Sequence, residues 1–378
     1  KKSAKEITLD NLHVSQGWLD TGVSFGEPGL EERETIENGS LTACLSGFTD
    51  IILNSNTLPV IDSKADVIYI KSKNKNNALK IHPLAALTIK SEGNEMAELR
   101  EMFDSGAVGF YDYKMSVKNP NLLKIVLQYV QHFDGLIMTF PFEKAICKDG
   151  QINEGEISTL YGLEGIPSIS EEIILERDLK ILEYTGGKLF IPTISTSKSV
   201  ELIKNAKRKG LKIITSVSIN NLFFNEKKLI NFDTRFKVLP PIRSEEDRLI
   251  LINALSEGII DFCTSDHYPI DIDNKKIDFK NSLFGATGLE SIFGALNSLY
   301  KTEKVIEILT RKKDLLGIKN EVVDVGSKAC MTLFNPKNKY IFTKSHVRSK
   351  SKNSSFISSE IKGKVYGVIN NGYVVLDE

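Results

Sequence analysis

Short, uninterrupted apolar runs punctuate the chain: "SGFTDIIL" (46–53), "AVGFYDY" (107–113), "GLIMTF" (135–140), "KLFIPTIS" (188–195), "LKIITSVSI" (211–219) and "IIDFCTSD" (259–266). Such runs are what a parallel sheet covered on both faces produces. "LDTGVSFGEPG" (19–29) reads as the end of another buried strand entering a loop. Segments with helical spacing lie between the runs. "NEMAELREMFDSG" (94–106) ends on a glycine suited to a C-cap, "SKSVELIKNAKRKG" (197–210) starts at a serine and ends on Gly210, and "SEEDRLILINALSEG" (244–258) opens with a serine and two acids.

This alternation predicts a βα-repeat architecture. A TIM-like (β/α)8 barrel suits the length better than a doubly wound sheet, because no glycine-rich phosphate turn follows the first strand. The pattern changes near residue 322. "EVVDVGSKACMTLFNP", "NKYIFTK" and "GKVYGVINNGYVVLDE" predict short strands and tight turns, hence a small β appendage. "KSHVRSKSKNSSF" (344–356), basic and serine-rich, reads as a surface loop. The boundaries predicted are 1–17 for the amino-terminal part of the appendage, 18–321 for the barrel and 322–378 for the rest of the appendage.

Composition narrows the function classes. The 378 residues carry 49 Lys plus Arg against 49 Asp plus Glu, so no net field recruits nucleic acid or an anionic membrane. No apolar run approaches the roughly 20 residues of a membrane helix, and "KKSAKEITLDNLHV" lacks the apolar centre of a secretion signal, so a cytoplasmic protein is expected. Cys44, Cys147, Cys263 and Cys330 show no CxxC spacing and read as buried thiols.

Several long phrases, in order along nearly the whole chain, carry a more specific signal. They are "FGEPGLEERETIENGSLTACLSGFT" (25–49), "NTLPVID" (56–62), "INEGEISTLYGLEGIPSISEEIILERDL" (152–179), "STSKSVELIKNAKRKGL" (195–211), "LPPIRSEEDRLILINALSEGIIDFCTSDH" (239–267) and "FGATGLES" (284–291). In these the chain resembles dihydroorotases of the amidohydrolase superfamily, near allantoinases and hydantoinases. The resemblance implies a distorted TIM barrel flanked by a β-sandwich built from both chain ends.

It also implies chemistry. Hydrolysing a cyclic amide at neutral pH needs a strong nucleophile and a polarised carbonyl, and in such enzymes zinc supplies both. The family's first strand ends Asp-x-His-x-His; here Asp20 is kept, but Gly22 and Ser24 take the histidine positions. In the Phe-Ser-Asp-Asp-Gly pattern, Asp112 matches the first acid and Tyr113 replaces the second, a poor substitute given a phenol pKa near 10. Phe140 and Thr193 fall where two further histidines belong, leaving Asp266 alone of the expected ligand set. His13, His82, His132 and His346 lie in connecting, helical or loop stretches and are not placed to compensate. The expectation is therefore no catalytic zinc and no other cofactor.

The implied substrate pocket is eroded too. The arginine that holds a substrate carboxylate becomes Gly26, the asparagine of Asn-Pro-Pro becomes Leu239, and Asn220 and Asn221 stand in a histidine phrase. Asn56 and His267 are kept and, with Asp266, form either a polar floor for substrate or a hydrogen-bond network holding strand ends together.

Three functions follow from the resemblance. The first is a non-catalytic homologue in pyrimidine synthesis, self-associating and acting as a structural or regulatory partner of, for example, aspartate transcarbamoylase. The second is an active cyclic amidohydrolase with Asp266 as general base. The third is a small-molecule sensor using the old pocket, decided by whether Phe140, Tyr113 and Leu239 close that cavity or line it.

Overall fold

Eight short parallel strands, most of them continuously buried, curl into a barrel, as the apolar runs require. The structure is a computed structural model describing residues 6–377 apart from residues 76 and 230. In chain order, β1 (His13–Gln16) joins a separate sheet, and β2 (Trp18–Val23), β3 (Phe48–Leu53), β4 (Lys80–Ala85), β5 (Gly109–Tyr111) and β6 (Ile137–Met138) build half the barrel and more. A two-stranded parallel ribbon, β7 (Ile152–Asn153) and β8 (Gly165–Ile166), interrupts the series. The barrel resumes with β9 (Leu189–Ile191), β10 (Ile213–Ser218) and β11 (Phe262–Thr264). Neighbours pair in the order β2-β3-β4-β5-β6-β9-β10-β11. The ends meet where Val23 bridges His267 and the Ser24 amide donates to the His267 carbonyl at 2.8 Å.

The predicted helices are present, with small shifts at their ends. Ser197–Arg208 is capped by Thr196, whose side chain accepts from the Ser199 amide, and Glu245–Ser256 is capped by Ser244. The glycines placed at helix ends, Gly106, Gly210 and Gly258, have φ of 105°, 81° and 77°, a left-handed turn that residues with a Cβ avoid. All four cysteines are buried and free. No helix among the described residues is long and apolar enough to cross a membrane.

The appendage is a four-stranded antiparallel sheet of β1, β12 (Cys330–Ile341), β13 (Glu360–Asn370) and β14 (Tyr373–Leu376). The amino-terminal part thus contributes one described strand. Asn371 and Gly372, both at positive φ, form the tight turn between β13 and β14. Three expectations need correction. The first half of "EVVDVGSKACMTLFNP" is not a strand, and its second half runs on through "NKYI" as one long bulged strand, β12. His82 lies on β4 rather than in a connection. The basic segment 344–356 is a surface loop only in part: Lys344, Arg348, Lys350 and Lys352 are exposed, but Ser349, Ser351, Ser354, Ser355 and Phe356 are buried. It straps the carboxyl-end loops together: the Ser349 hydroxyl donates to Glu290 at 2.7 Å, the Lys350 amide to Glu34 at 2.9 Å, and the Ser355 hydroxyl to Asn220 at 2.5 Å. Its serines satisfy buried acceptors that aliphatic residues would leave orphaned.

The barrel interior is packed with side chains from every strand: Leu19, Ile52, Leu84, Tyr111, Met138, Phe190, Ile214 and Phe262. Where β2, β3 and β4 begin, the buried Asp50 accepts from Lys313 at 3.0 Å and contacts His82 Nε2 at 3.0 Å. Burial pushes this carboxyl up, but the His82 ring and the Lys313 ammonium outweigh it and hold the carboxyl down at about 2. A carboxyl depressed in the folded state stabilises at pH above its unfolded value near 4 and loses that contribution as pH falls through about 2. Asp50→Asn is therefore expected to lower stability in urea at pH 7 by about 2 kcal/mol. The gap between variant and parent closes on acidification.

Candidate functional site

In barrels of this type chemistry sits at the carboxyl ends of the strands. The first position there is Asp20 on β2. Its carboxylate accepts from the Thr264 hydroxyl at 2.6 Å and from the amides of Ser265 and Gly22, both at 3.1 Å. Burial raises its pKa to about 6 against the pull of Ser265 and Thr264. At Gly22 a Cβ would lie 2.7 Å from Thr264 Oγ1, so a side chain there would have to displace the hydroxyl that binds Asp20. Ser24, fully buried, accepts from the Asn54 side chain at 3.1 Å. Asp112 receives the amides of Leu87 and Thr88 at 2.9 and 3.0 Å and the Thr88 hydroxyl at 2.6 Å. It braces a loop.

Tyr113 is packed edge-on between Tyr111 and Tyr268, and burial pushes its phenol well above the ordinary value. Phe140, 2% exposed, continues the apolar filling of the barrel towards the mouth. Leu239 packs onto the same cluster. Thr193, at φ 49°, donates its amide to Ser216 Oγ at 3.1 Å, and its own hydroxyl finds no protein partner among the described residues. The cavity left between Gly22, Tyr113, Lys114, Thr193 and Asp266 is about 10 Å³. That is room for a single water, against the hundreds of cubic ångströms of a small-molecule pocket. Tyr113 lines what space is left, and Phe140 and Leu239 pack with it in the apolar cluster that fills the barrel.

The three retained polar residues do not converge. Asp266 holds both carboxylate oxygens 2.9 Å from the Lys114 ammonium. His267 is fully buried; its Nδ1 accepts from the amides of Gly288 at 3.2 Å and Leu289 at 3.4 Å, while its backbone bridges Val23 and Ala286. Burial lowers the ring to about 4, so it stays neutral. Neither side-chain atom of Asn56 has a hydrogen-bond partner among the described residues. No hydrogen bond joins Asn56, Asp266 and His267. At Gly26 a Cβ would stand 1.8 Å from the Leu30 carbonyl oxygen, so this backbone admits no arginine. Asn220 and Asn221 are spent on Ser355 and on the Pro241 carbonyl.

Sequence reasoning missed two groups. Lys114 is one; it hid as a polar residue after a strand, and a lysine in the last place of the Phe-Ser-Asp-Asp-Gly pattern was the available signal. The other is Arg243, 2% exposed, at the centre of a network that ties the retained phrases together. It donates to Ser195 Oγ at 3.0 Å, Asn153 Oδ1 at 2.8 Å and the Ile166 carbonyl at 2.7 Å. The Ser195 hydroxyl and amide both donate to Glu171. "INEGE", "STS" and "PPIR" thus meet in one buried scaffold.

Comparison with known proteins places this geometry. A family model described as dihydro-orotase-like matches residues 13–199. A dihydroorotase of Thermoanaerobacter sp. (strain X514) is 35% identical over 97% of this chain and 87% of its own length. The chain belongs to the dihydroorotase family. A dihydroorotase of Caldanaerobacter subterraneus subsp. tengcongensis is 33% identical over the same shares. Among solved structures, the L-hydantoinase (dihydropyrimidinase) of Arthrobacter aurescens superposes with a TM-score of 0.84 at 22% identity, covering 96% of this chain and 85% of that one. At that identity the match speaks for the amidohydrolase barrel alone.

As a member of the dihydroorotase family the chain is expected to offer imidazoles and carboxylates to zinc. It offers a hydrogen atom, two hydroxyls, a phenol and a phenyl ring at Gly22, Ser24, Thr193, Tyr113 and Phe140. Among the described residues no group of three or more His, Cys, Asp or Glu side chains is arranged to hold a metal ion. These residues do not fit a catalytic zinc, which takes about three protein ligands from thiolate, imidazole and carboxylate. A ring held neutral by burial should show no titration, so the His267 carbon-bound ring protons are expected to keep constant NMR shifts from pH 5.5 to 8. Phe140→Ala is expected to cost about 3–5 kcal/mol in chemical denaturation, the penalty of emptying a packed aromatic site.

Proposed function

We propose that this dihydroorotase-family protein does not hydrolyse dihydroorotate and acts in pyrimidine biosynthesis through binding, as a structural or regulatory partner of an enzyme such as aspartate transcarbamoylase. The observation that carries this reading is the filled barrel mouth: about 10 Å³ of free space stands where a cyclic amide would have to sit. The donor set around it supports the same view, since hydroxyls, a phenol and a phenyl ring give zinc no affinity and water no activation. Asp266 is poorly suited to act as a general base, because both of its oxygens already face the Lys114 ammonium. The closed mouth also disfavours a sensor that occupies the old pocket. What the chain keeps is a complete barrel shell with its Arg243 network, which suits a role in contacts. On this reading the protein is cytoplasmic and self-associates.

Purified protein is expected to contain far less than one equivalent of zinc by elemental analysis and to give no dihydroorotate turnover above buffer. Affinity purification from native lysate should recover a transcarbamoylase subunit with it. Stoichiometric zinc together with turnover would refute the non-catalytic reading. A lone homodimer in lysate would refute the partner.

A further inference from the structure

At the barrel mouth Asp266 is 6% exposed, and among the charged groups of the described residues only Lys114 reaches it. Asp20 and Asp112 are satisfied by hydroxyls and amides, each with three such donors. The Asp266 amide donates to Thr264 Oγ1 at 3.1 Å, and among the described residues its carboxylate has no donor but the ammonium. An isolated buried carboxylate is costly, so the ammonium is what permits this one.

Lys114 is delivered by unusual backbone. Its φ of 52° is left-handed, a region that residues with a Cβ rarely adopt, and its amide donates back to the Tyr111 hydroxyl at 2.9 Å. The loop after β5 is thus folded sharply over the barrel. The side chain, 10% exposed, runs past the Tyr113 ring, 5.4 Å from its centroid, to a point where the Asp266 carboxylate and the Leu239 carbonyl converge on its Nζ. Three segments far apart in sequence, after β5, after β10 and after β11, share this one cation. A positive charge held by oxygens from several strand-end loops is the arrangement a bound metal ion would otherwise create.

We infer that Lys114 is a tethered cation that takes the place of a bound one, neutralising Asp266 and holding the three loops of the barrel mouth in register. The inference rests on the non-catalytic reading above and deepens it by naming what occupies the cation's place. A lysine carries its charge covalently, so the mouth assembles in the presence of chelator and without any metal supply.

A double-mutant cycle tests it on the full chain. Lys114→Met is expected to lower Tm by about 4–6 °C, the usual cost of stranding a buried charge in a chain of this length. Asp266→Asn should also destabilise, and the double variant should lose clearly less than the sum of the two. Where Lys114→Met does not fold, Lys114→Gly relieves the left-handed backbone, and methylammonium chloride should raise its Tm more than sodium chloride at matched ionic strength. Additive single effects with no methylammonium rescue would overturn the inference. Its failure is distinguishable from failure of the functional reading: zinc with turnover in the parent protein sinks that reading, whereas a zinc-free, inactive parent with zero coupling sinks the tethered cation alone.

Discussion

A carboxylate buried at the end of a barrel strand must be given either a counter-charge or a set of hydrogen-bond donors, and the barrel mouth of this protein is organised around how that demand is met. Taking such a group out of water costs several kcal/mol unless an opposite charge and hydrogen bonds replace the solvent. Asp266 finds its partner in Lys114, and the pair fixes the loop after β5, which in turn sets Tyr113 against Tyr268 and over the cavity. Asp20 solves the same problem with hydroxyl and amide donors, and two of its three come from Thr264 and Ser265, the residues leading to Asp266. The two solutions are linked through one short stretch of chain.

The same stretch closes the barrel. His267 follows Asp266, and its backbone and ring bind β2 on one side and the 286–289 segment on the other. The strap at 344–356 presses on this assembly from outside through Glu290, Glu34 and Asn220. From inside, aromatic and aliphatic side chains fill the barrel from Leu19 up to Phe140 and leave no substrate-sized volume. Packing at interior density makes such a closure hard to reverse by side-chain motion alone. The protein keeps a hydrolase shell around a solid centre.

Much of the fold was legible in the sequence, because continuous apolar runs, N-cap hydroxyls and glycines after helices each have a local physical cause. What local rules could not show depended on tertiary partners. β4 was hidden because "KIHPLA" carries a proline and a histidine, which argue against a central strand; Pro83 is tolerated, and His82 is paired with Asp50. The serine-rich strap read as solvated because its burial depends on acceptors hundreds of residues away. At the site, the missing imidazoles at Gly22, Ser24, Phe140 and Thr193 were readable residue by residue from the resemblance. The replacement was not, since pairing Lys114 with Asp266 requires knowing that two loops 152 residues apart converge.

The central claim is that the cation at this barrel mouth is a side chain. Its most direct test is a crystal structure of protein produced in zinc-replete medium, with diffraction recorded above and below the zinc absorption edge. No anomalous peak is expected beside Asp266, and density for the Lys114 ammonium is expected in contact with that carboxylate. A zinc peak there, with Lys114 turned out to solvent, would contradict it.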